Sequence, residues 1–139
     1  MRVMGLDVGE RTIGVALSDP LGWTAQGLTT VRRAGLGKDL LALGQIINEY
    51  QVERILVGLP LNMNGSKGPS ALAAEELGRA AEEAFGLEVL YQDERLSTKA
   101  VERVLLSGDV SRRKRREVVD KLAAAYILQG YLDGLRTNN

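Results

Sequence analysis

Three acidic positions in this chain have the type and the spacing to do chemistry: Asp7, the Asp93-Glu94 pair, and Asp120. They lie in far-apart segments, so only a fold can bring them together. Carboxylates gathered at one place repel, and a divalent cation resolves that repulsion. The chain contains no histidine and no cysteine. That removes Ser-His-Asp and Cys-His nucleophiles and zinc–thiolate sites. Ligands made of oxygen alone suit Mg2+ or Mn2+. Two such ions about 4 Å apart can activate water and stabilise the leaving oxygen of a phosphodiester. Taken singly, each acid has a plainer role. Glu94 could pair with Arg95 or Lys99, and Asp120 with Arg116 one helical turn away. The joint pattern favours a metal site.

The elements that must position these acids can be read from periodicity. Val3 to Val8 and Thr12 to Ser18 read as strands, and the short Gly9-Glu10-Arg11 connection makes them a hairpin. A carboxylate at Asp7, inside an apolar strand, is costly unless something satisfies it. The second strand has a bulky face of Ile13, Val15 and Leu17. Its other face, Gly14, Ala16 and Ser18, is small enough for another element to approach closely. Asp19-Pro20-Leu21-Gly22 has type I turn residues, and a third strand is expected from Trp23 to Val31. Leu36, Leu40, Leu43 and Ile47 recur at helical spacing, predicting a helix to Tyr50. Arg54 to Leu59 reads as a central strand. The loop from Pro60 to Pro69 leads into a helix that ends at Gly86. A strand from Leu87 to Gln92 follows, ending at Asp93-Glu94, where α/β folds tend to place ligands. Ser97 caps a short helix that Gly108 ends. A last helix runs from Lys114 to Leu135, with Asp120 on the stripe of Ala124, Ile127 and Tyr131. The small Ala123 and Ala124 let that helix lie close to the strands. The tail from Thr137 is expected to fray.

The 139 residues amount to one domain with a sizeable core. Three strands in antiparallel hairpins followed by αβαβ alternation give an α/β fold. Its mixed five-stranded sheet has three antiparallel strands, then two parallel ones, with helices on both faces. No apolar stretch approaches a membrane span, and the start lacks a signal peptide's apolar region, so the expected location is cytoplasmic.

A set of motifs runs in order along nearly the whole chain. They are Gly5-Leu6-Asp7-Val8-Gly9, Ile13-Gly14-Val15-Ala16 with Ser18-Asp19, and Val57-Gly58-Leu59-Pro60-Leu61-Asn62-Met63-Asn64-Gly65-Ser66 with Gly68-Pro69. Asp93-Glu94-Arg95-Leu96-Ser97-Thr98 and Asp120-Lys121-Leu122-Ala123-Ala124 with Ile127-Leu128-Gln129 complete the set. Together they resemble the YqgF/RuvX family of Holliday junction resolvases and pre-16S rRNA nucleases. The resemblance implies a ribonuclease H-like fold and an acidic triad falling on Asp7, Glu94 and Asp120, as catalytic residues and metal ligands. Glu94 ranks above Asp93, although both sit at the strand end. Asn64 stands where family members often carry Asp, which weakens any fourth acid from that loop. The implied activity is hydrolysis of phosphodiester bonds, in 5′-end processing of precursor 16S rRNA during ribosome biogenesis or in resolution of branched DNA. The alternative is a non-catalytic nucleic-acid-binding or ribosome-assembly module. An actin-like or sugar-kinase-like ATPase, which also carries an early Asp-Val-Gly strand end, needs two such domains to clasp ATP. Junction resolution requires two active sites, hence a homodimer.

Nucleic acid needs local positive charge even on a chain of zero net charge. Arg112-Arg113-Lys114-Arg115-Arg116 is the densest basic run, at a helix start where it opposes the dipole. Lys67, before a helix N-terminus, Arg11 on the hairpin and Arg95 beside Glu94 are further candidates for phosphate contact. Aromatic residues are only 4%, too few for a base-stacking platform, so recognition by backbone and shape is expected.

Overall fold

The computed structural model describes residues 1–93 and 112–137. Five strands, β1 (Val3–Val8), β2 (Thr12–Ser18), β3 (Ala25–Arg32), β4 (Arg54–Leu59) and β5 (Glu88–Asp93), form one sheet in the order β3-β2-β1-β4-β5. β1 pairs antiparallel with β2, and β2 with β3, while β1, β4 and β5 run parallel. The described helices are α1 (Leu36–Tyr50), α2 (Pro69–Phe85) and α3 (Arg112–Thr137). The mixed α/β architecture expected from the sequence is therefore the one observed. The short helix expected between Ser97 and Gly108 lies outside the described residues, as do Glu94 and Arg95.

Strand alternation sorts the core into two layers. Met4, Leu6, Val8, Ile13, Val15, Leu17, Ile55 and Val57 pack with Leu43 and Ile47 of α1 and Ala74, Leu77 and Ala81 of α2. Val3, Ala16 and Leu56 face the other way, against Ala124, Ile127, Leu128 and Leu132 of α3. The glycines and alanines of the second layer let α3 lie close against it. A Cβ on Gly5 would meet Leu128 Cβ at 3.0 Å and the Ala124 carbonyl at 3.3 Å. The helix lies almost on the strand backbones.

The helix ends follow local chemistry. Pro69 occupies the first turn of α2, and Gly86 ends it in the left-handed region at φ 66°. Gln51 ends α1 in the same conformation, at φ 56°.

Three elements have bounds that differ from expectation. The third strand starts at Ala25 rather than Trp23, because Asp19 Oδ1 accepts hydrogen bonds from the Trp23 and Thr24 main-chain N–H groups, at 2.6 and 3.1 Å. Those residues follow the turn that the Gly22 N–H to Asp19 carbonyl bond closes, and the Thr24 carbonyl accepts the Asp19 N–H. The same donors, Thr24 foremost, hold the Asp19 carboxyl below its ordinary pKa, so this capping weakens only as pH falls through and below the usual carboxylate range. β5 starts one residue late, at Glu88. α3 is described from Arg112 to Thr137, two residues beyond the expected helix at each end. Its first turn is basic without one acid, which opposes the helix dipole, and the docked segment downstream carries the helix through it.

Candidate nuclease site

Alternation along β1 puts Val3, Gly5 and Asp7 on the α3 side. Asp7 is partly buried near the end of the strand, and its cross-strand partner is Gly14. Antiparallel partners sit about 5 Å apart at Cα. Directly over Gly14 lies the main chain of Asp120. A Cβ built on Gly14 would fall 2.0 Å from the Asp120 carbonyl oxygen and 2.4 Å from its carbonyl carbon. No side chain fits there. The small face of β2 is therefore the docking groove for the turn of α3 that carries Asp120. It brings that acid to the strand pair holding Asp7.

The Asp120 side chain is also held. Thr12, the first residue of β2, lies on the same face as Gly14, and its hydroxyl donates to Asp120 Oδ2 at 2.5 Å. Thr12 was not among the residues singled out from the sequence. Its role depends on a helix that starts a hundred residues later, and nothing local marks it.

The turn next to Asp7 is braced from the opposite side of the sheet. The Gly9 N–H donates to the Thr12 carbonyl at 2.8 Å, closing the hairpin. Arg33 donates from NH1 to the Gly9 carbonyl at 3.2 Å, and its own N–H donates to the Arg11 carbonyl at 2.9 Å. Arg33 Nε in turn reaches Asp39 Oδ2 at 3.1 Å, while Asp39 Oδ1 accepts from the Ala34 N–H at 2.9 Å. Asp39 is only 1% exposed, so it depends on these partners. Sequence reading missed this pair because an acid in a helix's first turn ordinarily answers the dipole, and an arginine in a loop ordinarily faces water.

Asp93 pairs with Leu59 at the carboxyl end of the parallel strands, the same end as Asp7. Alternation puts it with Val89 and Tyr91 on the α1–α2 side, away from Asp7 and Asp120. Among the described residues no three acids gather in one cluster. Glu94, the third expected acid, lies outside them.

The basic candidates differ in setting. Arg11 is exposed in the β1–β2 turn beside Thr12. Arg32, not singled out from the sequence, is exposed and is the register partner of Thr12 on β3. Lys67 is engaged with Glu75 of α2 at 2.9 Å, a surface pair that a stronger anion displaces at little cost. In its loop, Asn64 Oδ1 accepts from the Ser66 N–H and hydroxyl, and Gly65, at φ 85°, closes a turn with the Asn62 carbonyl. Asn64 thus serves the loop's own backbone, as Asx turns do. Arg112 to Arg116 occupy the first turns of α3, about 6–12 Å along the axis from Asp120 at the usual helical rise.

The chain resembles proteins of known family along nearly its full length. A protein of Moorella thermoacetica, described as "Putative pre-16S rRNA nuclease", is 61% identical over 138 residues, covering 99% of both chains. One of Syntrophomonas wolfei with the same description is 58% identical over 134 residues, covering 96% of this chain and 95% of that one. Among solved structures, Thermus thermophilus RuvC in complex with a Holliday junction substrate superposes with a TM-score of 0.60 at 17% identity, over 98% of this chain and 96% of that one. The fowlpox virus resolvase with Holliday junction DNA gives 0.57 at 9% identity, over 97% and 99%. At such identities the superpositions speak to fold, and the fold is the ribonuclease H-like one. The family profile described as "RuvX: Holliday junction resolvase" matches residues 1–134, and the chain belongs to that family.

Proposed function

We propose that this chain is a divalent-metal-dependent nuclease that hydrolyses phosphodiester bonds in structured nucleic acid, with Asp7, Glu94 and Asp120 as its catalytic acids. The observation that carries the reading is the docking of the Asp120 main chain on Gly14, across from Asp7. Two acids from opposite ends of the sequence converge on one sheet face, where only Gly allows the approach. Glu94 is the third acid that the family resemblance implies, while Asp93 belongs to the far face.

The donor set fits a hard cation. Asp7, Glu94 and Asp120 offer oxygen only, in a chain without histidine or cysteine, which suits Mg2+ or Mn2+ and disfavours zinc. Bound there, one or two such ions supply Lewis-acid polarisation of the phosphoryl oxygen and a nucleophilic water at neutral pH. The chain's own part is to hold the carboxylates in place, and to draw phosphates in with Arg11, Arg32, Arg95, Lys67 and the Arg112–Arg116 run. The likeness to pre-16S rRNA nucleases at up to 61% identity favours precursor 16S rRNA as substrate in the cytoplasm. Among the described residues no helix is long and apolar enough to cross a membrane. Four-way DNA junctions are the second substrate class, and symmetrical cutting of one requires two copies of the chain.

Purified protein should cleave a precursor 16S rRNA fragment or a four-way junction when Mg2+ or Mn2+ is added, and chelator should abolish cleavage. Asp7→Asn should lose cleavage while still binding the same nucleic acid. Binding without cleavage by wild type, under every metal tried, would establish the ribosome-assembly or nucleic-acid-binding module instead.

The basic run has its own test. Replacing Arg112 and Arg113 by Gln should weaken binding evenly across sequences. It should also lower the slope of log affinity against log salt by about one unit per lost phosphate contact. An unchanged slope would make the run solvated surface.

A further inference from the structure

We propose that Thr12 is a positioning residue for the metal site: its hydroxyl fixes the Asp120 carboxylate in the orientation that receives the cation. The inference rests on the reading of Asp120 as a ligand. It starts from what determines where an aspartate's oxygens lie, namely the backbone position and two side-chain torsions. The backbone of Asp120 is set by the Gly14 contact, since its carbonyl sits where a Cβ of residue 14 would be. The hydrogen bond from Thr12 Oγ1 to Asp120 Oδ2 constrains the torsions.

Thr12 is a rigid anchor. Its carbonyl accepts the Gly9 N–H that closes the hairpin, and its Cα is in register with Arg32 on β3. It is half-buried, and its β-branched side chain has few χ1 choices, so the hydroxyl is presented in one direction. The chemistry of the donor matters too. A lysine or arginine here would neutralise the carboxylate and compete with a cation. A hydroxyl orients the anion and leaves its charge in place. Groups that hold ligands in this way commonly change metal affinity about 10–100-fold when removed.

Mn2+ binding to the full chain, without nucleic acid, reads this directly by calorimetry or by the resonance signal of free Mn2+. Thr12→Val keeps the branching and shape and removes the donor. It should raise the Mn2+ dissociation constant about 10–100-fold. Thr12→Ser should restore affinity to within a few-fold of wild type. Unfolding midpoints without metal, measured alongside, report any purely structural contribution. A Thr12→Val protein that is less stable but binds Mn2+ like wild type would overturn the proposal, leaving the hydrogen bond as a helix-docking contact. Should Val pack poorly, Thr12→Ala held well below its midpoint gives the same comparison with Ser. Asp120→Asn separates the two layers of the argument. If it binds Mn2+ as wild type does, Asp120 is no ligand and both readings fall. If it loses Mn2+ while Thr12→Val does not, only the positioning role falls.

Discussion

Asp120→Asn is expected to reduce cleavage by about three orders of magnitude, a loss of roughly 4 kcal/mol in transition-state stabilisation, without destabilising the metal-free protein. The substitution keeps the shape of the side chain and an oxygen to accept the Thr12 hydroxyl, while removing one charge from a partly buried place. Carboxylates brought together without a cation repel, so the metal-free variant should unfold at the same temperature as wild type or slightly higher. Wild type should be stabilised by Mg2+ or Mn2+, because a ligand that binds only the folded form shifts the equilibrium by about 2.7 kcal/mol at a hundred times its dissociation constant. The variant should gain much less. Thermal unfolding of both proteins, with and without metal, is the check. A variant that is plainly less stable, beside a wild type indifferent to metal, would make Asp120 a structural residue.

Gly14→Ala is expected to damage both fold and activity. The added methyl would lie 2.0 Å from a carbonyl oxygen of the α3 main chain, which no rotamer change relieves. The helix must lift from β2, at a cost of about 1–3 kcal/mol or more. Lifting it carries Asp120 away from Asp7 and from Thr12. Activity should therefore fall well beyond the loss of folded protein, even at temperatures where the variant remains native. Gly130→Ala is the matched control. It lies in the same helix with nothing within 4 Å of its would-be Cβ, and there alanine should stabilise by up to about 1 kcal/mol. Equal tolerance at the two positions would mean that the helix is not held against the strand as described.

The packing that brings Asp120 to the strand of Asp7 was largely legible in the sequence. The small face of Gly14, Ala16 and Ser18 announced a close neighbour, and Ala123 and Ala124 showed which helix could be that neighbour. The alternation of β1 and the helical stripe through Asp120 oriented the two acids. What escaped was whatever depends on two distant segments meeting. The Thr12 hydroxyl has no local signature, since threonine opens many strands. Arg33 and Asp39 lie six residues apart across a loop and a helix start, and only the fold reveals that they brace the Gly9 turn. The start of β3 was misplaced by two residues because Asp19 reaches forward over the turn, an effect that propensity cannot register.

The hydrogen bond between Thr12 and Asp120 joins residues 108 positions apart. Long-range pairings of this kind form late, after the chain has closed the large loop between them. During synthesis, the hairpin with Asp7 leaves the ribosome early and waits for α3. A chain cut short before α3 would therefore lack Asp120 and leave Val3, Ala16 and Leu56 without the helix that covers them.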